Sequence, residues 1–160
     1  MSEKRLTIDY EEFASPAEMS ATDQALIQAA LEAQKGSYSP YSHFQVGASL
    51  LLEDGTVLKG ANQENAAYPS GICAERTVLF YAGANYPDVA ADTLVIAGSD
   101  HGVLCDSPAS PCGACRQVMA ETQKRFGKPL KVILVGGKRI RKFRKVEDIL
   151  PFIFDSLQLS

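Results

Sequence analysis

Four residues in this sequence have types and spacings suited to chemistry: Cys73, Glu75, Cys112 and Cys115. The first two lie in the stretch YPSGICAERTV, and the others in SPASPCGACRQVM. A thiol binds metal or attacks as its thiolate, and the free N–H groups and positive dipole end of a helix amino terminus favour that form. Both stretches read as helix starts. Ser70 is available to cap the first, and Ser110 with Pro111 suits the cap and opening position of the second. Clustered cysteines in a reducing compartment more often bind metal or do redox work than form structural disulfides, and spacing alone leaves both of those uses open.

The count of three favours metal chemistry. Zinc keeps three protein ligands and one open position in catalytic sites, whereas its structural sites close with a fourth ligand. Cys105, His43 and His101 stand on no ligand spacing and are expected as loop, packing or surface residues. Glu75 lies two positions from Cys73, and residues at i and i+2 do not share a helix face. It is therefore expected not to bind the ion beside Cys73 but to face water there and carry its proton. The competing assignment is a first-turn glutamate that only stabilises the helix dipole.

These side chains must be positioned by regular elements. Leu6, Ile8 and Tyr10 alternate with polar residues, the period of an edge strand. Ser20 followed by Asp23 predicts a capped helix with Leu26, Ile27, Ala30 and Leu31 on one face, stopped at Gly36. Residues 44–52 and 56–60 flank EDG as a hairpin, residues 72–82 read as a helix, and TLVIAGS from Thr93 reads as a buried strand. A helix over 111–126 and a strand from Leu130 complete an α/β sandwich with a mixed sheet. Right-handed crossovers through the strand at Thr93 would bring both cysteine-bearing helix starts to one end of that sheet.

The 160 residues suit one domain, and 46% hydrophobic residues with a net charge of -3 suit a soluble globular protein. No apolar run approaches the roughly 18 residues of a membrane span. The amino-terminal MSEKRLTIDYEEF has neither signal-peptide nor transit-peptide character, so the cytoplasm is the expected compartment. KRIRKFRK, residues 138–145, would suit nucleic acid by charge. Its alternation with Ile140 and Phe143 in an acidic chain suits a solvated strand or subunit interface better.

CAE followed by PCGAC resembles the zinc-dependent cytidine deaminase family, in particular its small homotetrameric nucleoside-acting branch, and the likeness runs over residues 38–154. The resemblance implies a three-layer α/β/α sandwich, with residues 20–160 as one catalytic domain and residues 1–19 as an extension. It implies one zinc ion per subunit on Cys73, Cys112 and Cys115, and Glu75 as proton shuttle. YSPYSHFQVGASLL implies that Phe44 packs on a pyrimidine. GANQENAAYPSGICAER implies that Asn62 and Glu64 hold ribose hydroxyls and that the Ala74 backbone N–H donates to the base O2. Arg76 would offset the charge of three thiolates, and DILPFIFDS implies that Phe154 reaches a neighbouring subunit's site.

The implied reaction is hydrolytic deamination of cytidine and 2'-deoxycytidine to the uridine nucleosides plus ammonia, a step of pyrimidine salvage. Alternatives are a non-catalytic zinc-stabilised module and deamination of another cytosine compound such as blasticidin S, against which NQEN argues. Editing of single-stranded nucleic acid is a third, disfavoured because the sequence shows no basic, aromatic-lined channel.

Overall fold

The computed structural model describes residues 1–155. Its strands are β1 (Glu11–Phe13), β2 (Phe44–Leu52), β3 (Val57–Ala61), β4 (Ala91–Asp100), β5 (Val103–Leu104), β6 (Lys131–Val135) and β7 (Ile140–Phe143). They form one seven-stranded sheet in the order β1-β7-β6-β4-β2-β3, with β5 paired to the end of β4. Strands β4 and β6 run parallel, and the other pairs are antiparallel. Helix α1 (Ala21–Ala33) packs on one face, and α2 (Ala74–Asn85) and α3 (Gly113–Phe126) pack on the other.

The alternation along β4 shows why both faces are covered. Leu94 and Ile96 join Val78 and Met119 in one core, while Val95 and Ala97 join Leu26 and Ile27 in the other. A strand buried on both sides reads as a continuous apolar run, which is what TLVIAGS is. Each fully buried leucine or isoleucine stabilises the fold by about 1.5–3 kcal/mol relative to exposure. The result is the three-layer α/β/α sandwich with a mixed sheet that the sequence predicts.

The helix starts fall where the chemistry needs them. Because β3 and β4 each run antiparallel to β2, β3–α2–β4 is a parallel crossover, and β4–α3–β6 is another. Both helices therefore begin at the same end of the sheet. Gly60 lets α2 lie close on β3: a Cβ there would come within 2.9 Å of Ala74 O and of Val78 N. Any side chain at that position would displace the first turn of α2.

Two expectations are corrected. The edge strand forms at Glu11–Phe13 rather than over residues 6–10, because only these residues have ladder partners, Lys142, Arg141 and Ile140. Leu6, Ile8 and Tyr10 stay exposed, although the Tyr10 ring sits 5.5 Å from that of Phe143. Helix α1 ends at Ala33, and a 3-10 turn over Gln34–Gly36 follows, so Gly36 closes that turn instead of the α-helix. Its start is as expected, with the Asp23 N–H donating to Ser20 Oγ at 3.1 Å. The Asp23 carboxylate does not complete a capping box; it accepts from Lys142 Nζ at 2.6 Å.

That contact also accounts for much of the basic segment. Ile140 and Phe143 of β7 are buried, Arg141 pairs with Glu12, and Lys138 pairs with Asp106. The centre of the segment is a sheet strand, and Lys138, Arg141 and Lys142 meet acidic partners. Among the described residues, no helix is long and apolar enough to cross a membrane.

Candidate metal centre

Cys73 is itself the N-cap of α2, with extended φ/ψ of -75°/154°, and Cys112 is the N-cap of α3, at -66°/165°. Neither side chain makes a cap hydrogen bond. Ser70 and Ser110 are thus not the caps the sequence suggests: Ser70 ends a 3-10 turn over Tyr68–Ser70, and Pro111 precedes the cap instead of opening the helix. Both cap thiols therefore stand at helix amino termini, where the first-turn N–H groups lack intrahelical partners. Cys115, buried at the third position of α3, completes the group.

The three sulfurs lie within 4.8 Å of one another, and those of Cys112 and Cys115 are 3.4 Å apart. Cys73 is held down to about 5, chiefly because the Cys115 thiol hydrogen-bonds to it, with Arg76 adding to the effect. Cys115 is pushed up by the same bond and by burial. A divalent cation displaces the protons that thiols share at this separation and is bound by the thiolates. Among the described residues the group includes no fourth cysteine, histidine, aspartate or glutamate. Three soft thiolate donors with one position left open fit zinc in its catalytic form. Cys105 lies apart, its N–H donating to Gly98 O, and the two histidines face each other.

Glu75, the second residue of α2, is only 4% exposed. Burial, reinforced by the negative charge of Cys73, raises its pKa above the ordinary carboxylate value. The next residue, Arg76, places Nη2 at 3.8 Å from Cys73 Sγ. Its Nε is buried without a hydrogen-bond partner among the described residues. Such an orphaned donor of a cation suits a site that gains negative charge as its thiols ionise.

Cys73, Cys112, Glu75 and Arg76 line a cavity of about 680 Å³, together with Phe44, Val46, Asn62, Glu64, Ile72 and Ala109. That volume falls within the usual range for small-molecule sites, about 300–1,000 Å³. Asn62 Oδ1 accepts from Val46 N at 2.8 Å and Nδ2 donates to Phe44 O at 2.9 Å, which fixes the Phe44 backbone. The Glu64 carboxylate accepts from the N–H groups of Tyr41, at 2.9 Å, and Ser42, and from the Ser42 hydroxyl. The Ser42 bond holds Glu64 below the ordinary glutamate range. Ala74, the first residue of α2, is fully buried at the helix start. Phe154 is not brought to this cavity within one chain: it is 61% exposed, and its carbonyl accepts from Gln117 Nε2 at 2.8 Å.

Sequence patterns missed several lining residues. Tyr41 and Tyr68 meet edge to face with ring centres 6.1 Å apart, and both line the cavity. Gly98 in β4 supports Phe44 by having no side chain, since a Cβ there would lie 2.9 Å from Phe44 Cζ and 3.0 Å from Ala109 Cβ. A glycine inside an otherwise apolar strand is the one signal that could have pointed to a close approach.

The family model for the cytidine and deoxycytidylate deaminase zinc-binding region matches residues 20–126. The chain is 53% identical to a cytidine deaminase of Halalkalibacterium halodurans over 100 residues, 61% of this chain and 70% of that one. It is 36% identical to a probable cytidine deaminase of Dictyostelium discoideum over 133 residues, 83% of this chain and 84% of the other. The crystal structure of cytidine deaminase from Burkholderia pseudomallei aligns with a TM-score of 0.67 at 42% identity, covering 85% of this chain and 100% of that one. The cytidine deaminase structure from Mycobacterium tuberculosis gives 0.65 at 32% identity, over 85% and 99% of the two chains. The family match spans both cysteine-bearing helix starts and strands β2 to β5, and the chain belongs to the cytidine and deoxycytidylate deaminase family.

Proposed function

We propose that the protein is a zinc-dependent hydrolase that deaminates cytidine, and 2'-deoxycytidine with it, to the corresponding uridine nucleosides and ammonia. The observation that carries this reading is the buried carboxylate of Glu75 beside three converging cysteines, two of which, Cys73 and Cys112, line one cavity with it. Cys73, Cys112 and Cys115 would hold one zinc ion per subunit, and its Lewis acidity is what makes water nucleophilic near neutral pH.

The remaining work falls to the chain's own groups. Deamination forms a C–O bond at C4 of the base, breaks the C4–N bond, and moves protons from water to N3 and to the departing amino group. Glu75 is the carboxylate placed to move them, and its raised pKa lets it hold a proton as well as take one. Phe44 offers an aromatic face to the pyrimidine, Asn62 and Glu64 bind the ribose hydroxyls, and the Ala74 N–H donates to the base O2. Arg76 offsets the thiolate charge and keeps the centre from becoming too electron-rich.

Residues 20–160 act as one catalytic domain, with residues 1–19 as an extension whose β1 lengthens the sheet. A cytoplasmic homotetramer serving pyrimidine salvage fits the exposed Phe152 and Phe154, which a neighbouring subunit would cover. Sedimentation equilibrium checks the tetramer. The reaction is checked by loss of cytidine absorbance and release of ammonia with zinc-loaded protein. Full zinc occupancy without turnover of either nucleoside would make the site a structural module instead.

A further inference from the structure

We infer that His43 and His101 form a second metal site, separate from the cysteine centre, for a first-row divalent transition ion such as Ni2+, Cu2+ or Zn2+. The inference does not depend on the proposed deamination. The two residues are far apart in sequence, and the sheet brings them together: β2 and β4 pair Phe44 with Asp100, so the residues just beyond that pair meet where the ladder ends. The His101 N–H donates to His43 O at 3.0 Å, and the ring centres lie 5.0 Å apart at a tilt of 36°. Two imidazoles on one ion, with metal–nitrogen distances of about 2.0–2.1 Å, also have their ring centres about 5 Å apart.

Three features favour a ligand pair over a chance contact. First, both rings are exposed, so packing gains little from holding them together. Second, both backbones adopt left-handed conformations, with φ of 57° at His43 and 48° at His101. His101 takes this conformation with Gly102 (φ 80°) as the two-residue turn of the β4–β5 hairpin that pairs Asp100 with Val103, so the sheet itself holds the ring in place. Here the His43 N–H donates to Ser39 O at 3.0 Å, and Gly102 N donates to Gln45 Oε1 at 2.9 Å.

Third, Asp100 Oδ1 lies 2.7 Å from His101 Nδ1. A carboxylate on one ring nitrogen fixes the tautomer and leaves Nε2 as a basic lone pair, the usual support of a metal-bound histidine. Asp100, with Glu64 acting on His43 through space, supplies negative charge near the pair. Imidazole nitrogen suits Zn, Cu and Ni and does not suit Mg or Ca. Water would fill the remaining positions.

The test is calorimetric titration of tag-free, zinc-loaded protein with NiCl2, followed by elemental analysis of metal per chain. The expected result is about one Ni2+ bound per chain with zinc retained, and no binding of Mg2+. His43→Asn and His101→Asn are the variants of choice because asparagine tolerates the left-handed backbone. Each should weaken Ni2+ binding at least about tenfold, as removal of one of two imidazole ligands demands. Ni2+ affinity in either variant equal to that of the parent, zinc loss matching nickel gain, or no nickel bound at all would each overturn the site.

Discussion

Arg76 Nη2 stands 3.8 Å from Cys73 Sγ, three positions along the same helix, and the two residues between them include the buried Glu75. One helical turn therefore carries a thiol of the cysteine cluster, a buried carboxylate and a cation. The i, i+3 spacing sets the Cys73–Arg76 contact, since residues three apart share a helix face, and Glu75 lines the same cavity as both. Arg76→Ala should reduce zinc affinity or turnover about 10- to 100-fold, the usual cost of removing a group that supports metal ligands. Zinc titration with a competing chelator, alongside kcat, would show it; unchanged values for both would remove Arg76 from the site.

Glu75→Gln keeps the volume and the burial but cannot carry a proton. It should retain zinc and lose about 100- to 10,000-fold or more in kcat, the usual range for removing a general acid–base. Near-normal turnover with full zinc occupancy would show that another group moves the proton.

Removing the metal separates structure from chemistry. Because a ligand that binds only the folded state stabilises it by mass action, chelation should lower the melting temperature as well as abolish deamination. Both should return with one equivalent of zinc per chain. Activity that survives complete zinc removal, confirmed by elemental analysis, would contradict the assignment of Cys73, Cys112 and Cys115.

Gly98→Ala tests the support of Phe44. The added Cβ would lie 2.9 Å from Phe44 Cζ, so the ring must move. Overpacking of this kind typically costs about 1–3 kcal/mol, and the displaced ring should raise KM for cytidine about tenfold while zinc content stays unchanged. An unaltered KM would mean that the base does not rest on Phe44.

Ser42→Ala addresses Glu64, whose carboxylate is held by the Ser42 hydroxyl and by two backbone N–H groups. Loss of the hydroxyl should raise KM about three- to tenfold with little change in kcat, the pattern of lost ground-state binding. The folded-state pKa of Glu64 is lowered, so the restraint is complete above the ordinary glutamate range and is lost only as pH falls through the lowered value. The variant should therefore lose nucleoside affinity at a higher pH than the parent on acidification; identical acid limbs in the two KM profiles would show that Ser42 does not tune Glu64.

Much of this arrangement is legible in the chain itself. CAE and PCGAC carry the family resemblance and mark the three cysteines that the fold brings together, while the proton-carrying role of Glu75 is proposed from that resemblance. Apolar periodicity locates the sheet and the helices, as in the continuous run from Thr93 that becomes doubly buried β4. It places the amino-terminal strand wrongly, since alternation at Leu6, Ile8 and Tyr10 marks a strand-competent segment but not which residues find a partner. It misplaces the helix caps too, because serine is the commoner cap and only the fold shows the cysteines in that position.

By itself, then, the sequence determined the α/β class and the family motifs with their metal-capable cysteines, which depend on residue type and local period. The tertiary structure alone decided which distant groups share a space: the three sulfurs within 4.8 Å, Gly98 beneath Phe44, Glu64 against Ser42, and His43 against His101. Those meetings arise from strand register and parallel crossovers, which bring far-separated residues to one end of a sheet, and no local pattern encodes such a distance.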